Sequence, residues 1–281
     1  MLVLATSVNG HWVDDLSPFL IRFGGNFGIR YYGLSYVLGF LSGAWLLFRY
    51  AKAGRSQVPA AKIGDLMTAI VIGVLVGGRV GHYFLYGDWR NFSSDPLQIF
   101  RVWDGGMASH GGMIGVAIAL VWFARSQKIP FLHLGDLVTS TASAGFFFGR
   151  IANFVNGELW GKVTAVPWGV IFPDSQPGLA YDMIPPRHPS QLYQAGLEGL
   201  LLLAYMQWRF WKSDAVRTQP GRLSGEYLIG YAILRAFAET YREPDAGISL
   251  IWGLSRGTFY SLFLIVAGAA LILRSRRRSA A

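Results

Sequence analysis

Long apolar blocks separated by short polar gaps run through this chain, and a membrane-crossing helix needs roughly 20 mainly apolar residues. Seven stretches approach or meet that need: 32–48, 64–86, 110–124, 134–155, 192–208, 225–241 and 257–273. The third has a short strictly apolar core, Met113 to Ala124, and extends outward through Ser109, His110, Gly111 and Gly112. The pattern predicts an all-α polytopic membrane protein, with seven transmembrane helices in a single integral membrane domain over 1–281. The longest gap, 156–191, carries Trp168, Val170, Ile171 and Phe172 among prolines. That mixture predicts a small ordered extramembrane lobe rather than a loose loop.

Cations in alternate gaps orient the helices. The gaps 49–63, 125–133, 209–224 and the tail from 274 hold 14 Lys and Arg in 48 residues, whereas the other gaps hold 8 in 105. The denser set reads as cytoplasmic. The C-terminus is then cytoplasmic, and the N-terminus and the lobe extracytoplasmic. The opening MLVLATSVNGHWVDD lacks a basic start and a full apolar core, so no cleavable signal peptide is expected.

Composition agrees with this reading. Of 281 residues, 52% are hydrophobic and 15% charged, against about 25% charged in ordinary soluble domains. The net charge of +9 comes from topology-setting flanks and contact with anionic membrane lipids, not from a basic soluble face, so no nucleic-acid partner is expected. There is no cysteine, which excludes disulfides, thiolate metal sites and a cysteine nucleophile belonging to the chain.

Three cations remain inside the apolar stretches: Arg79, Arg150 and Arg235. Intramembrane arginine is costly and faces a cavity, a partner or a substrate. On the proposed orientation each lies about 8–10 Å below the outer boundary, at 1.5 Å per helical residue. Arg150 and Asn153 share a helix face, and Asn156, Glu158 and two glycines follow. This arrangement reads either as an anion and headgroup site or as a capped helix end with Arg150 held by Glu158. Tyr231, Arg235, Glu239 and Arg242 line one face of the sixth helix, as a site, as an internal salt-bridge ladder in which Glu239 pairs with Arg235 at i,i+4 or with Arg242 at i+3, or as both at once. Arg79, His82, Tyr83 and Tyr86 share a face of the second, where packing and interfacial anchoring compete with function. His110 opens the third helix among glycines and suits proton transfer near neutral pH, although a lone interfacial histidine is also a common structural element. His188 and Gln191 either cap the fifth helix or touch a substrate. No metal-binding, Walker or intramembrane-protease motif occurs, and nothing demands a cofactor.

The segment GRIANFVNGELWG (149–161) resembles the signature of the bacterial prolipoprotein diacylglyceryl transferase family. It is accompanied in order by RYYG (30–33), GGRVGH (77–82), RVWDGGMASHGGMIG (101–115), PPRHPSQLY (185–193) and YAILRAFAETYREPD (231–245). The resemblance implies a bacterial inner (cytoplasmic) membrane enzyme. Such an enzyme moves the diacylglyceryl group of phosphatidylglycerol to the lipobox cysteine of a prolipoprotein signal peptide, forming a thioether and releasing glycerol phosphate. The essential residues it implies are Tyr32, His110, Arg150, Asn153, Glu158, Tyr231, Arg235 and Glu239. Within that reaction, Arg150 and Arg235 are expected to meet the phosphate, Asn153 and Tyr32 to orient the headgroup, and His110 to accept the thiol proton. An arginine field that lowers the thiol pKa without His110 is the competing account. A transporter or flippase for an anionic lipid is the alternative of another class; it predicts paired broken helices in two halves, and the chain shows none.

Overall fold

The computed structural model describes residues 6–25, 27–86, 95–101, 106–244 and 251–279. Each predicted apolar stretch is helical. We label the helices α1 (Tyr31–Lys52), α2 (Ile63–Tyr86), α3 (Ser109–Ser126), α4 (Phe131–Val155), α5 (190–212), α6 (Arg222–Glu239) and α7 (Arg256–Ser279). Basic residues close α1 (Arg49 and Lys52) and α3 (Arg125), where they complement the helix dipole. The rod α5 is α-helical at its ends and π-helical over Ala195–Leu201. Among the described residues, three helical segments are long and apolar enough to cross a membrane: Tyr31–Lys52, Ala60–Phe84 and Arg256–Arg276; His110–Ser126 is apolar but shorter. Polar side chains dilute the apolar character of the others. Asp136, Ser140 and Ser143 on α4 and Glu198 on α5 are nearly or fully buried.

The chain forms two compact units, Met1–Gly43 with Thr139–Ala281, and Ala44–Val138. In the first, strands extend the expected all-α pattern. The strands β1 (Ser7–Val8) and β2 (His11–Val13) pair antiparallel, and β2 pairs parallel with β5 (Val170–Ile171), Val13 opposite Ile171. Val13, Ile171 and Ile184 make the small buried core of the lobe. A hairpin, β3 (Phe19–Gly24) with β4 (Phe27–Arg30), leads directly into α1. Arg22 and Arg30 lie over the Phe19 ring at 4.9 and 4.7 Å. These strands are two to six residues long. Pairs so short produce little period-two signal, and β2 finds its partner far along the chain.

Small residues set helix spacing in both units. In the second, Gly73, Gly77 and Gly81 of α2 face Gly111 and Gly115 of α3. A Cβ on Gly111 would collide with the Gly77 carbonyl oxygen, and one on Gly115 with that of Gly73. The backbones themselves touch, the close packing small residues allow between membrane helices. In the first unit, α6 and α7 meet through Gly225 and Gly268 in the same way.

Candidate active site

Helix α4 ends in the signature, and its turn is tightly specified. Gly157 has φ +62° and Leu159 φ +60°, so the chain reverses through two left-handed residues, the second a strained position for a branched side chain. The surroundings hold it there. Gln191 donates from Nε2 to the Glu158 carbonyl at 2.7 Å, and Ser190 donates to that of Leu159 at 3.0 Å. A Cβ on Gly161 would strike the His188 and Tyr241 carbonyl oxygens at 2.5 and 2.6 Å. Lys162 donates its N–H to the Tyr241 carbonyl at 2.9 Å. Arg187 pairs with Glu243 at 3.4 Å. The signature loop is thus stitched to the far end of α6.

This turn assembles a polar relay. Arg150 Nη1 donates to Asn153 Oδ1 at 3.3 Å, and Asn153 Nδ2 donates to Glu158 Oε1 at 2.7 Å. Asn156 Nδ2 reaches the same oxygen at 3.4 Å. Glu158 therefore reaches Arg150 through Asn153, and Asn153 is buried. Tyr32, in the first turn of α1, lies within electrostatic reach of Glu158 and Arg150; its hydroxyl is 3.5 Å from that of Tyr36.

On α6, Arg235 Nη2 pairs with Glu239 Oε2 at 2.6 Å, the i,i+4 partner the sequence offered. Arg235 Nη1 faces Glu198 Oε1 of α5 at 3.7 Å, too long for a hydrogen bond. Glu198 is fully buried and within electrostatic reach of both Arg235 and Arg150. Tyr231 packs between Phe146 and Tyr227, ring centroids 5.1 and 6.2 Å away, and senses the charges of Glu198, Arg235 and Arg150. One unit therefore carries Tyr32, Arg150, Asn153, Glu158, Tyr231, Arg235 and Glu239. Glu198 is absent from the sequence-level candidates, and Gln191, expected there as a helix cap or a substrate contact, instead holds the Glu158 carbonyl. A lone carboxylate amid the apolar run 192–208 was the available signal.

His110 belongs to the second unit, exposed in the first turn of α3. Trp103, Asp104 and Gly105 of the motif before it lie outside the described residues. Arg79, also in the second unit, donates to the carbonyls of Ile99 (3.1 Å), Gly106 (3.2 Å) and Gln98 (2.6 Å) and lies over the Tyr83 ring. It clasps the chain that precedes α3. His188, at the lobe, has Nδ1 3.1 Å from the Tyr193 hydroxyl; burial and the charge of Lys162 hold its pKa below the ordinary value. In the lobe, burial lifts the Asp14 carboxyl to about 7; the Leu16 backbone N–H opposes the rise, and the charges of Asp15 and Asp174 add to it.

Residues 18–274 match the model of the prolipoprotein diacylglyceryl transferase family. The chain belongs to the prolipoprotein diacylglyceryl transferase family. It is similar to a phosphatidylglycerol–prolipoprotein diacylglyceryl transferase of Zymomonas mobilis, 42% identical over 89% of this chain and 85% of the relative. Proteins of the same name from Sinorhizobium medicae and Rhodospirillum rubrum are 41% and 42% identical, covering 95% and 93% of each chain. Of the groups assembled in the first unit, Tyr32 belongs to the RYYG segment, Arg150, Asn153 and Glu158 to the signature, and Tyr231, Arg235 and Glu239 to the α6 motif, whereas Glu198 lies outside the segments that carry the resemblance.

Proposed function

We propose that this transferase moves the diacylglyceryl group of phosphatidylglycerol onto the thiol of a prolipoprotein lipobox cysteine. The observation that carries the reading is the convergence of Arg150, with its Asn153–Glu158 relay, and Arg235, paired to Glu239, on a common carboxylate. The sulfur attacks the glycerol carbon that bears the phosphate ester. A C–S bond forms, the C–O bond breaks, and its electron pair leaves with glycerol phosphate. Phosphate charge grows as the diester becomes a monoester, and fixed guanidinium groups stabilise charge where it develops. Arg150 and Arg235 take that role, with Asn153, Glu158, Tyr32, Tyr231 and Glu239 orienting them and the headgroup. His110 accepts the thiol proton. A free thiol titrates at pH ~8.5, so a base or positive field is needed to form the thiolate at neutral pH.

The same proposal places the protein in the bacterial cytoplasmic membrane as one domain of seven spans, with the lobe, the N-terminus and the site toward the outer leaflet and the C-terminus cytoplasmic. The cation density of the gaps and the helicity of all seven stretches support it. Purified protein, phosphatidylglycerol and a lipobox peptide, followed by mass spectrometry, test the activity. A peptide gaining one diacylglyceryl group is expected. An unmodified peptide, in the presence of a folded enzyme and with lipid moved across a vesicle bilayer, would favour the transporter reading instead.

A further inference from the structure

Glu198 stands out among the buried groups. It is fully buried, it sits on the π-helical segment of α5, and neither carboxylate oxygen has a hydrogen-bond partner among the described residues. A bulge of this kind in a helix commonly marks a functional position. An isolated buried carboxylate is costly unless cations compensate it, and two arginines do so here without closing a hydrogen bond. Arg235 Nη1, at 3.7 Å, likewise has no hydrogen-bond partner among the described residues. Its other terminal nitrogen is spent on Glu239. One edge of the guanidinium is thereby turned toward a negative group that stops short of it.

The reaction gives this arrangement a use. The substrate phosphodiester carries one negative charge, whereas the glycerol phosphate product carries up to two. Two arginines alone would hold the product more tightly than the substrate, and release would limit turnover. We infer that Glu198 is the internal counterion of the phosphate site: a positioning residue that acts through Arg150 and Arg235, occupies their charge between turnovers, and opposes retention of the more negative product. The inference rests on the reading of the arginine pair as the phosphate site.

Glu198→Gln preserves shape and removes the charge. In the full-length, detergent-purified enzyme it is expected to tighten inhibition by glycerol phosphate about tenfold or more, as expected when a buried charge a few ångströms away is lost. KM for phosphatidylglycerol and kcat should fall together. Glu198→Asp keeps the charge and should leave product affinity within about twofold of wild type. A role confined to packing predicts the reverse pattern: a lower melting temperature and a product affinity unchanged or weakened. That pattern in Glu198→Gln overturns the inference. Where Glu198→Gln does not fold, a change in product affinity beyond twofold in Glu198→Asp, at unchanged melting temperature, overturns it. Arg150→Lys and Arg235→Ala separate the two claims. If these lose product affinity while Glu198→Gln leaves it unchanged, the counterion role alone fails; if neither loses it, the phosphate site itself fails.

Discussion

At the scale of single residues, the chemistry turns on whether a charge is already committed. Arg79 is committed, to three carbonyls, whereas Arg150 spends one bond on Asn153 and Arg235 one edge on Glu239. A guanidinium fork meets a phosphate with paired hydrogen bonds that lysine cannot reproduce. Arg150→Lys is therefore expected to stay folded yet lose most activity. Arg235→Ala should lower both activity and melting temperature, because it strips Glu239 and Glu198 of their common partner. Lipid affinity and thermal unfolding, measured side by side, check both. For His110, replacement by Asn should reduce turnover by roughly 10²–10⁴, with partial recovery as the pH rises and free thiolate accumulates. Near-normal turnover at pH 7 would move the proton to another acceptor and leave the arginine field to activate the thiol. The pairing of Arg235 with Glu239 and the relay from Arg150 to Glu158 were legible at helical and turn spacing. Glu198 was not, since nothing in the local sequence of α5 says which helix its carboxylate meets.

At the scale of elements, two features invite measurement. The first is the α2–α3 seam. Because a Cβ at Gly111 would press on the backbone of α2, relief requires the helices to separate. Gly111→Ala should cost about 1–3 kcal/mol, the usual range for overpacking, seen as a lower melting temperature in detergent. Gly64→Ala, on α2 with nothing within 4 Å of its Cβ, should be neutral. The second is Asp14 beside the β2–β5 pair. Its folded pKa, about 7, stands above the ordinary carboxylate value of 3.8, so the folded state binds the proton more tightly than the unfolded chain. That contribution is complete below pH ~4 and is lost as pH rises through 7, a direction fixed by the raised folded pKa. Stability should consequently decline between pH 4 and 8 in wild type, and Asp14→Asn should flatten that decline. A slope unchanged in the variant would assign the pH dependence to other groups.

At the scale of the whole molecule, the proposed topology makes a prediction independent of the chemistry. A reporter fused after residue 281 should read cytoplasmic, and one inserted within 162–184 should read extracytoplasmic. A cytoplasmic reading for 162–184 would remove both the orientation and the outer-leaflet site. The stakes are physical, because the density of positive charge beside each helix end is what biases insertion.

The helices and the membrane character follow from the sequence by itself, because long apolar runs are stable in lipid, where backbone polar groups are satisfied within a helix. The family and most of the candidate site were equally legible, since the signature and the α6 motif each keep their polar groups within a few turns of one another. Tertiary structure alone decided the rest. It paired β2 with β5 across more than half the chain, clamped the signature loop to the end of α6, committed Arg79 to backbone carbonyls, and set Glu198 before Arg235. Each of these is a contact between residues far apart in sequence. No local periodicity encodes such contacts, because they are selected by which arrangement satisfies buried charge and backbone at once.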